Sequence, residues 1–244
     1  MKKKLLAIFL LVSSLIFSED RVLSFEQITL DEKNELIYAI GEKTPYTGIV
    51  EDYKFFIENR FLEGRAIFKN GLMEGTFKVL YPNGKIARIM IYKNGKTEGI
   101  QKVYYESGII KRETSHKNGL VDGLMKSYYP NGNIQSEVLV KKDVRDGITR
   151  TYDPNGKLKV EVSYQNGVQV GVQKGYYPSG KLKIELPLDK NGLTNGIVKI
   201  YYPSGKIMSE ESYKDDKLEG TVKKYDESGK ITSEEFFKNG NRIK

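Results

Sequence analysis

From Gly75 onward, apolar residues fall at alternate positions in short runs, and each run is closed by glycine. Alternation of this kind is the period of a β-strand with one buried face. The runs repeat. One glycine series comprises Gly75, Gly99, Gly123, Gly147, Gly171, Gly196 and Gly220, and a second comprises Gly84, Gly108, Gly132, Gly156, Gly180, Gly205 and Gly229. Both advance by 24 residues with a single step of 25. A third series, Gly71, Gly95, Gly119, Gly167, Gly192 and Gly240, keeps the same beat, with Asp143 and Asp216 in its two missing places. Three registers in phase define a repeat, and a period of this length marks an array of stacked supersecondary units.

The second series lies in YPNG, YPSG and DPNG segments and in two ESG variants. Pro presets φ for the first turn position, Asn or Ser suits the next, and Gly accepts the left-handed region. That is the chemistry of a three-residue hairpin loop with a glycine bulge. The third series reads as a looser turn joining one hairpin to the next. The expected fold is therefore all-β: an elongated single antiparallel sheet of successive β-hairpins, each about 24 residues long.

The columns of the repeat assign faces. An aromatic column, Tyr104, Tyr128, Tyr152, Tyr176, Tyr201 and Tyr225, is placed by the turn opposite an Ile/Leu column running from Ile86 to Ile231. That pairing predicts an apolar face in which the tyrosines are structural. Two residues before each aromatic position stands a cation: Lys78, Lys102, Lys126, Arg150, Lys174, Lys199 or Lys223. In simple alternation these share the tyrosine face, with their stems over apolar surface and their charge in water. A one-residue slip would instead set them against Glu113, Glu137, Glu161, Glu185, Glu210 and Glu234. The turn sequence favours the first register. One residue before each cation the chain varies: Phe77, Gln101, Met125, Thr149, Gln173, Val198, Val222. These are the positions from which a partner could be recognised.

Ahead of the array the pattern differs. Lys2, Lys3 and Lys4 precede an apolar stretch of 13 residues, Leu5 to Phe17, and Ser18-Glu19-Asp20 turns the chain polar. This fits a secretory leader and is short for a membrane span. Residues 1–18 are thus expected to be a cleavable signal peptide, and the mature chain to be exported to the periplasm or cell surface. Residues 19–70 form an irregular capping region with degenerate repeat fragments, and residues 71–244 the array. A strand pair or short helix is expected near Asp31 to Tyr38.

Composition narrows the chemistry. Lys and Arg number 40 against 32 Asp and Glu, a formal charge of +8 that falls to +5 once Lys2 to Lys4 are removed. Charge this evenly mixed is first of all a solvated surface. It tolerates an anionic partner without demanding one. There is no cysteine, so disulfides, thiol catalysis and thiolate metal sites are excluded. The single histidine, His116, occupies an aromatic position of the repeat. The glutamates recur in every unit and form no unique pair of the kind glycoside hydrolysis uses. The glycines punctuate turns and open no phosphate-binding helix. No catalytic residue, metal or cofactor is expected, and the chain reads as a non-enzyme.

With its G-x-x-x-x-Y-x-x-x-G-K-[IL]-x-x-E-x-x-Y-x-[ND]-G-x-x-x-G shape, clearest over Gly99 to Gly123, Gly147 to Gly171 and Gly196 to Gly220, the chain resembles the MORN-repeat variant proteins. The resemblance spans about Phe68 to Gly240, and His116 and Asp216 depart from it. In bacteria many such proteins are grouped with antitoxins of toxin–antitoxin systems. The resemblance implies a thin sheet of hairpins, a scaffolding or partner-binding role, and no catalytic residues. The expected partner is a protein held along an extended β surface at the cell envelope, with an antitoxin or immunity role. The alternative is an anionic glycan or membrane headgroup contacted through the Lys78-to-Lys223 column. Nucleic acid is disfavoured by export and by the near balance of acids and bases.

Overall fold

The computed structural model describes residues 21–57 and 60–243. The expected leader, residues 1–18, lies outside the described residues. The chain folds as a single sheet of 20 strands plus a two-stranded hairpin, with no α-helix among the described residues. From Gly75 on, the strands follow one another antiparallel in chain order, each hydrogen-bonded to the ones before and after it.

Each unit is a hairpin with the expected tight turn. In the unit carrying Gly108, Tyr105 N–H donates to Ile109 O at 2.8 Å and Gly108 N–H donates to Tyr105 O at 2.8 Å, with Gly108 at φ +94°. The link between units is tighter than expected. At Asn94-Gly95 both residues have positive φ, 49° and 75°, and Lys93 pairs with Lys96 across them. That is a two-residue turn of the I′ kind, whose twist matches the flanking strands. Where aspartate replaces the glycine, at Asp143 (φ +66°) and Asp216 (φ +63°), its side chain offsets the strained backbone. Asp143 accepts from Val121 N–H at 2.8 Å, and Asp216 from Thr194 N–H at 2.6 Å. The single 25-residue step is a longer link. Asp189 to Gly192 closes with Gly192 N–H donating to Asp189 O at 3.1 Å, copying the within-unit turn.

A bulge recurs one pair from every tight turn, and it sets the faces. Tyr104 pairs with Ile110, as the turn requires, but Val103 then pairs with Arg112, so Lys111 is extra. The same step occurs between Ser127 and Tyr128, Thr151 and Tyr152, Gly175 and Tyr176, Ile200 and Tyr201, and Lys224 and Tyr225. Beyond it, Lys102 faces Glu113, Lys126 faces Glu137, Arg150 faces Glu161, Lys174 faces Glu185, Lys199 faces Glu210 and Lys223 faces Glu234. Both readings of the register therefore hold, on either side of one residue. The expectation that the cations sit amid an apolar face is corrected: they sit against glutamates.

The apolar interior lies on the opposite face. Val138, Val140, Val162, Val198 and Val222 are buried there, whereas the tyrosine column is only half-buried.

Residues 21–70 do more than cap. Ile28–Asp31 and Leu36–Ala39 form the expected strand pair. Gly48–Ile57 and Arg60–Lys69 make a long hairpin, on whose outer edge Val22–Leu23 adds in parallel. Tyr46, Val50, Leu62, Ala66 and Phe68 pack with Phe77, Val79, Ala87 and Met90 of the first unit into the main hydrophobic cluster. Phe25, Tyr53, Phe55, Phe68 and Phe77 make successive ring contacts at 5.5–5.9 Å. Gly64 permits this approach, since a Cβ there would lie 2.2 Å from Lys78 O.

Candidate partner-binding surface

The two faces of the array are built from different chemistry. On one, the two strands of each hairpin are joined through charge, and neighbouring units through phenol hydroxyls. Ion pairs join Lys102 to Glu113 at 3.0 Å, Lys126 to Glu137 at 3.2 Å, Arg150 to Glu161 at 2.7 Å, Lys199 to Glu210 at 3.9 Å and Lys223 to Glu234 at 3.5 Å. Four glutamates of the column also receive a hydroxyl from the following unit. Tyr128 donates to Glu113 at 2.8 Å, Tyr152 to Glu137 at 2.8 Å, Tyr201 to Glu185 at 2.7 Å and Tyr225 to Glu210 at 2.9 Å. The result is a cation–carboxylate–phenol ladder along the ribbon.

Its electrostatics are mutually consistent. Desolvation first, then the bond to Glu113, pushes the Tyr128 hydroxyl up to about 12. The hydroxyl of Tyr128, and next the ammonium of Lys102, outweigh desolvation to hold Glu113 below the usual carboxylate range. Partly exposed pairs of this kind contribute at most about 1 kcal/mol each, so the ladder fixes register between units more than it stabilises them. The basic column is thus largely spent on internal pairs. Beside the ladder runs an exposed apolar row, Ile100, Leu124, Ile148, Val172 and Ile197.

A second set of tyrosines, not singled out by the column reading, clamps neighbouring units. Tyr81, Tyr105, Tyr129, Tyr177 and Tyr202 donate their hydroxyls to the backbone oxygens of Tyr104, Tyr128, Tyr152, Tyr201 and Tyr225 at 2.6–2.8 Å. Their signal in the sequence is the residue just before Pro or Glu in each tight turn.

The other face is recessed. Phe77, Gln101, Val198 and Val222 are buried on it, and Met125, Thr149 and Gln173 are half-buried. The variable column is therefore the floor of this face and not an exposed strip, a consequence of strand parity: Gln101 alternates with the ladder's Lys102. Two depressions open there. One, of about 370 Å³, is lined by Arg88, Gln101, Val103, Arg112, Thr114, Met125 and neighbours. The other, of about 360 Å³, is lined by Val138, Thr149, Val162, Tyr164 and neighbours. Among the described residues, three buried side-chain atoms lack a hydrogen-bond partner: Arg88 Nε, Gln101 Nε2 and Thr149 Oγ1. All three belong to residues lining these two depressions. An unmet buried polar atom costs about 1–3 kcal/mol, so native structures keep few of them without reason.

His116 lines the first depression, with Nδ1 3.1 Å from Thr114 O. Among the described residues no group of His, Asp and Glu is arranged to hold a metal, and no helix is long and apolar enough to cross a membrane.

A comparison with curated proteins found no match. A family profile matches the repeat in seven consecutive segments: 73–94, 97–118, 121–142, 145–166, 169–190, 194–215 and 218–239. These segments follow the hairpin units, and the gap after residue 190 coincides with the longer link at Asp189 to Gly192. They cover more than half of the chain, and the protein belongs to the MORN repeat variant family.

Proposed function

We propose that this protein is a non-catalytic scaffold that holds a protein partner along the recessed face of its repeat array, outside the cytoplasmic membrane, as an antitoxin or immunity protein. One observation carries the reading. The buried polar atoms without partners, on Arg88, Gln101 and Thr149, all line depressions of the same face. A polypeptide supplies the carbonyls, amides and carboxylates such atoms need. The residues lining that floor differ from unit to unit, which is where specificity between partners can reside. The ladder face repeats the same groups in every unit and serves to space them.

The leader reading supports export, and an exported antitoxin would meet its toxin at the envelope. The rival ligand, an anionic glycan or lipid headgroup on the basic column, is less well supported because glutamates neutralise most of that column. The test is affinity capture from the native cell envelope with the chain lacking residues 1–18, at low and at high salt. A stoichiometric protein retained at about 0.5 M salt is expected, because a buried interface is screened little. Recovery of only anionic polymer or lipid, lost steeply with salt as counterion release requires, would reject the proposal.

A further inference from the structure

We infer that the depression at Arg88, Gln101 and Arg112 is a carboxylate-binding site. The inference rests on the reading of the recessed face as the binding surface, and names the chemical group that face takes where its first units meet. The depression spans four strands, with Val103, Val121 and Met125 as its apolar walls. Gln101 is 3 % exposed, and its Nε2 has no partner. Arg88 Nε is likewise buried and unpartnered, while its guanidinium lies 5.5 Å from the Phe55 ring centroid, which leaves the rim of the group for an acceptor.

No carboxylate answers these donors. Among the described residues neither Arg88 nor Arg112 has an ion pair, and no acidic side chain lines the depression. Burial pulls the Arg88 guanidinium below its ordinary value; Tyr92 opposes this, and the positive charge of Arg112 reinforces it more weakly. His116 adds no donor toward the ligand when neutral. Its Nδ1–H faces Thr114 O, so the free ring nitrogen is an acceptor.

Two guanidinium groups and a primary amide around apolar walls match a planar, singly charged acceptor. Arg binds such a group as a fork, and a buried amide donor fills a remaining lone pair. A partner's Asp or Glu side chain, or its C-terminal carboxylate, supplies that group. A doubly charged phosphate would bring more charge to desolvate into a site with the same donors.

The test uses the chain without residues 1–18 and sodium acetate as probe, with inorganic phosphate as competitor at matched ionic strength. NMR follows the Arg88 Nε–H and Gln101 side-chain amide signals. Acetate is expected to shift both saturably, with an apparent Kd on the order of 10 mM. Arg112→Gln should weaken binding about tenfold or more, and so should Arg88→Lys, because lysine keeps the charge but loses the fork. Should Arg88→Lys perturb the fold, Arg112→Gln alone decides. Tighter binding of phosphate than of acetate would overturn the carboxylate assignment. Failure of both anions to saturate the signals would overturn the site. If the anion response is absent while a protein is still captured at high salt, the site fails and the scaffold stands. An anion response without any captured protein gives the reverse.

Discussion

Equivalent positions in the first unit and in the later ones fold to the same backbone but meet different surroundings. Phe77, at 1 % exposure, and Met90, also at 1 %, lie in the hydrophobic cluster that residues 25–68 build with the first unit. Of the counterparts of Phe77, Gln101, Val198 and Val222 are also buried, but Met125, Thr149 and Gln173 in the middle units line a half-buried floor. The amino-terminal end thus has a conventional core, to which the separate strand pair of residues 28–31 and 36–39 contributes Ile37 and Ala39, while the rest is one layer held by turns, ladders and short side chains. A repeat cannot bury its own face, so one end supplies the covering and the remainder stays open to receive something else.

The largest effect that would break this contrast is at the core. Phe77→Ala should cost about 3–5 kcal/mol, read from urea unfolding. Met125→Ala, at the equivalent place two units on, should cost distinctly less. Equal losses would show that the two ends do not differ.

Gly147→Ala probes the backbone of the open region. Gly147 has φ +120°, and a Cβ there would meet Leu139 Cδ1 at 2.8 Å. The strained conformation should cost about 1–3 kcal/mol in a thermal melt, even though no core residue is touched.

A smaller effect separates the first unit from the others by its ladder. Tyr152→Phe loses a bond to Glu137 and should cost about 1–1.5 kcal/mol. Tyr104→Phe should be near neutral, because Ile89 stands where other units place the glutamate. A comparable loss at both sites would mean that the hydroxyls act through something other than the carboxylate.

The smallest effect is the pH dependence. The Tyr128 hydroxyl is raised to about 12 in the fold, so its contribution is complete below about pH 10 and is lost as pH climbs toward 12. Glu113 is depressed, so its contribution is present above the ordinary carboxylate range and disappears as pH falls through its lowered value. Tyr128→Phe should flatten the alkaline limb of a stability–pH curve, and weaken the acid limb, relative to the native chain.

Much of this was legible in the sequence. Three glycine registers and the Pro-Asn-Gly turns determine hairpins, their number and their order. The pairing of the tyrosines with the Ile/Leu column follows from the turn alone, as Tyr104 opposite Ile110 bears out. The bulge at Lys111 and its equivalents was not legible, because an extra residue leaves the 24-residue period unchanged. Strict alternation therefore put the cations amid the apolar face and made the variable column a free strip. The cluster at Arg88, Gln101 and Arg112 escaped notice for the same reason: its members lie on three strands and share a face only once the bulge is counted. The core that residues 25–68 form with the first unit depends on long-range contacts that no local pattern records.

Neighbouring residues of one strand separate the two faces most cleanly. A photo-crosslinking side chain placed at Thr149 projects into the recessed face, and one placed at Arg150 projects from the ladder face beside the exposed apolar row. Each variant, expressed in its native envelope and irradiated, reports which face the partner occupies. Protein adducts from Thr149 and none from Arg150 are the expected result; adducts from Arg150 alone would place the partner on the ladder and contradict the assignment of the recessed face.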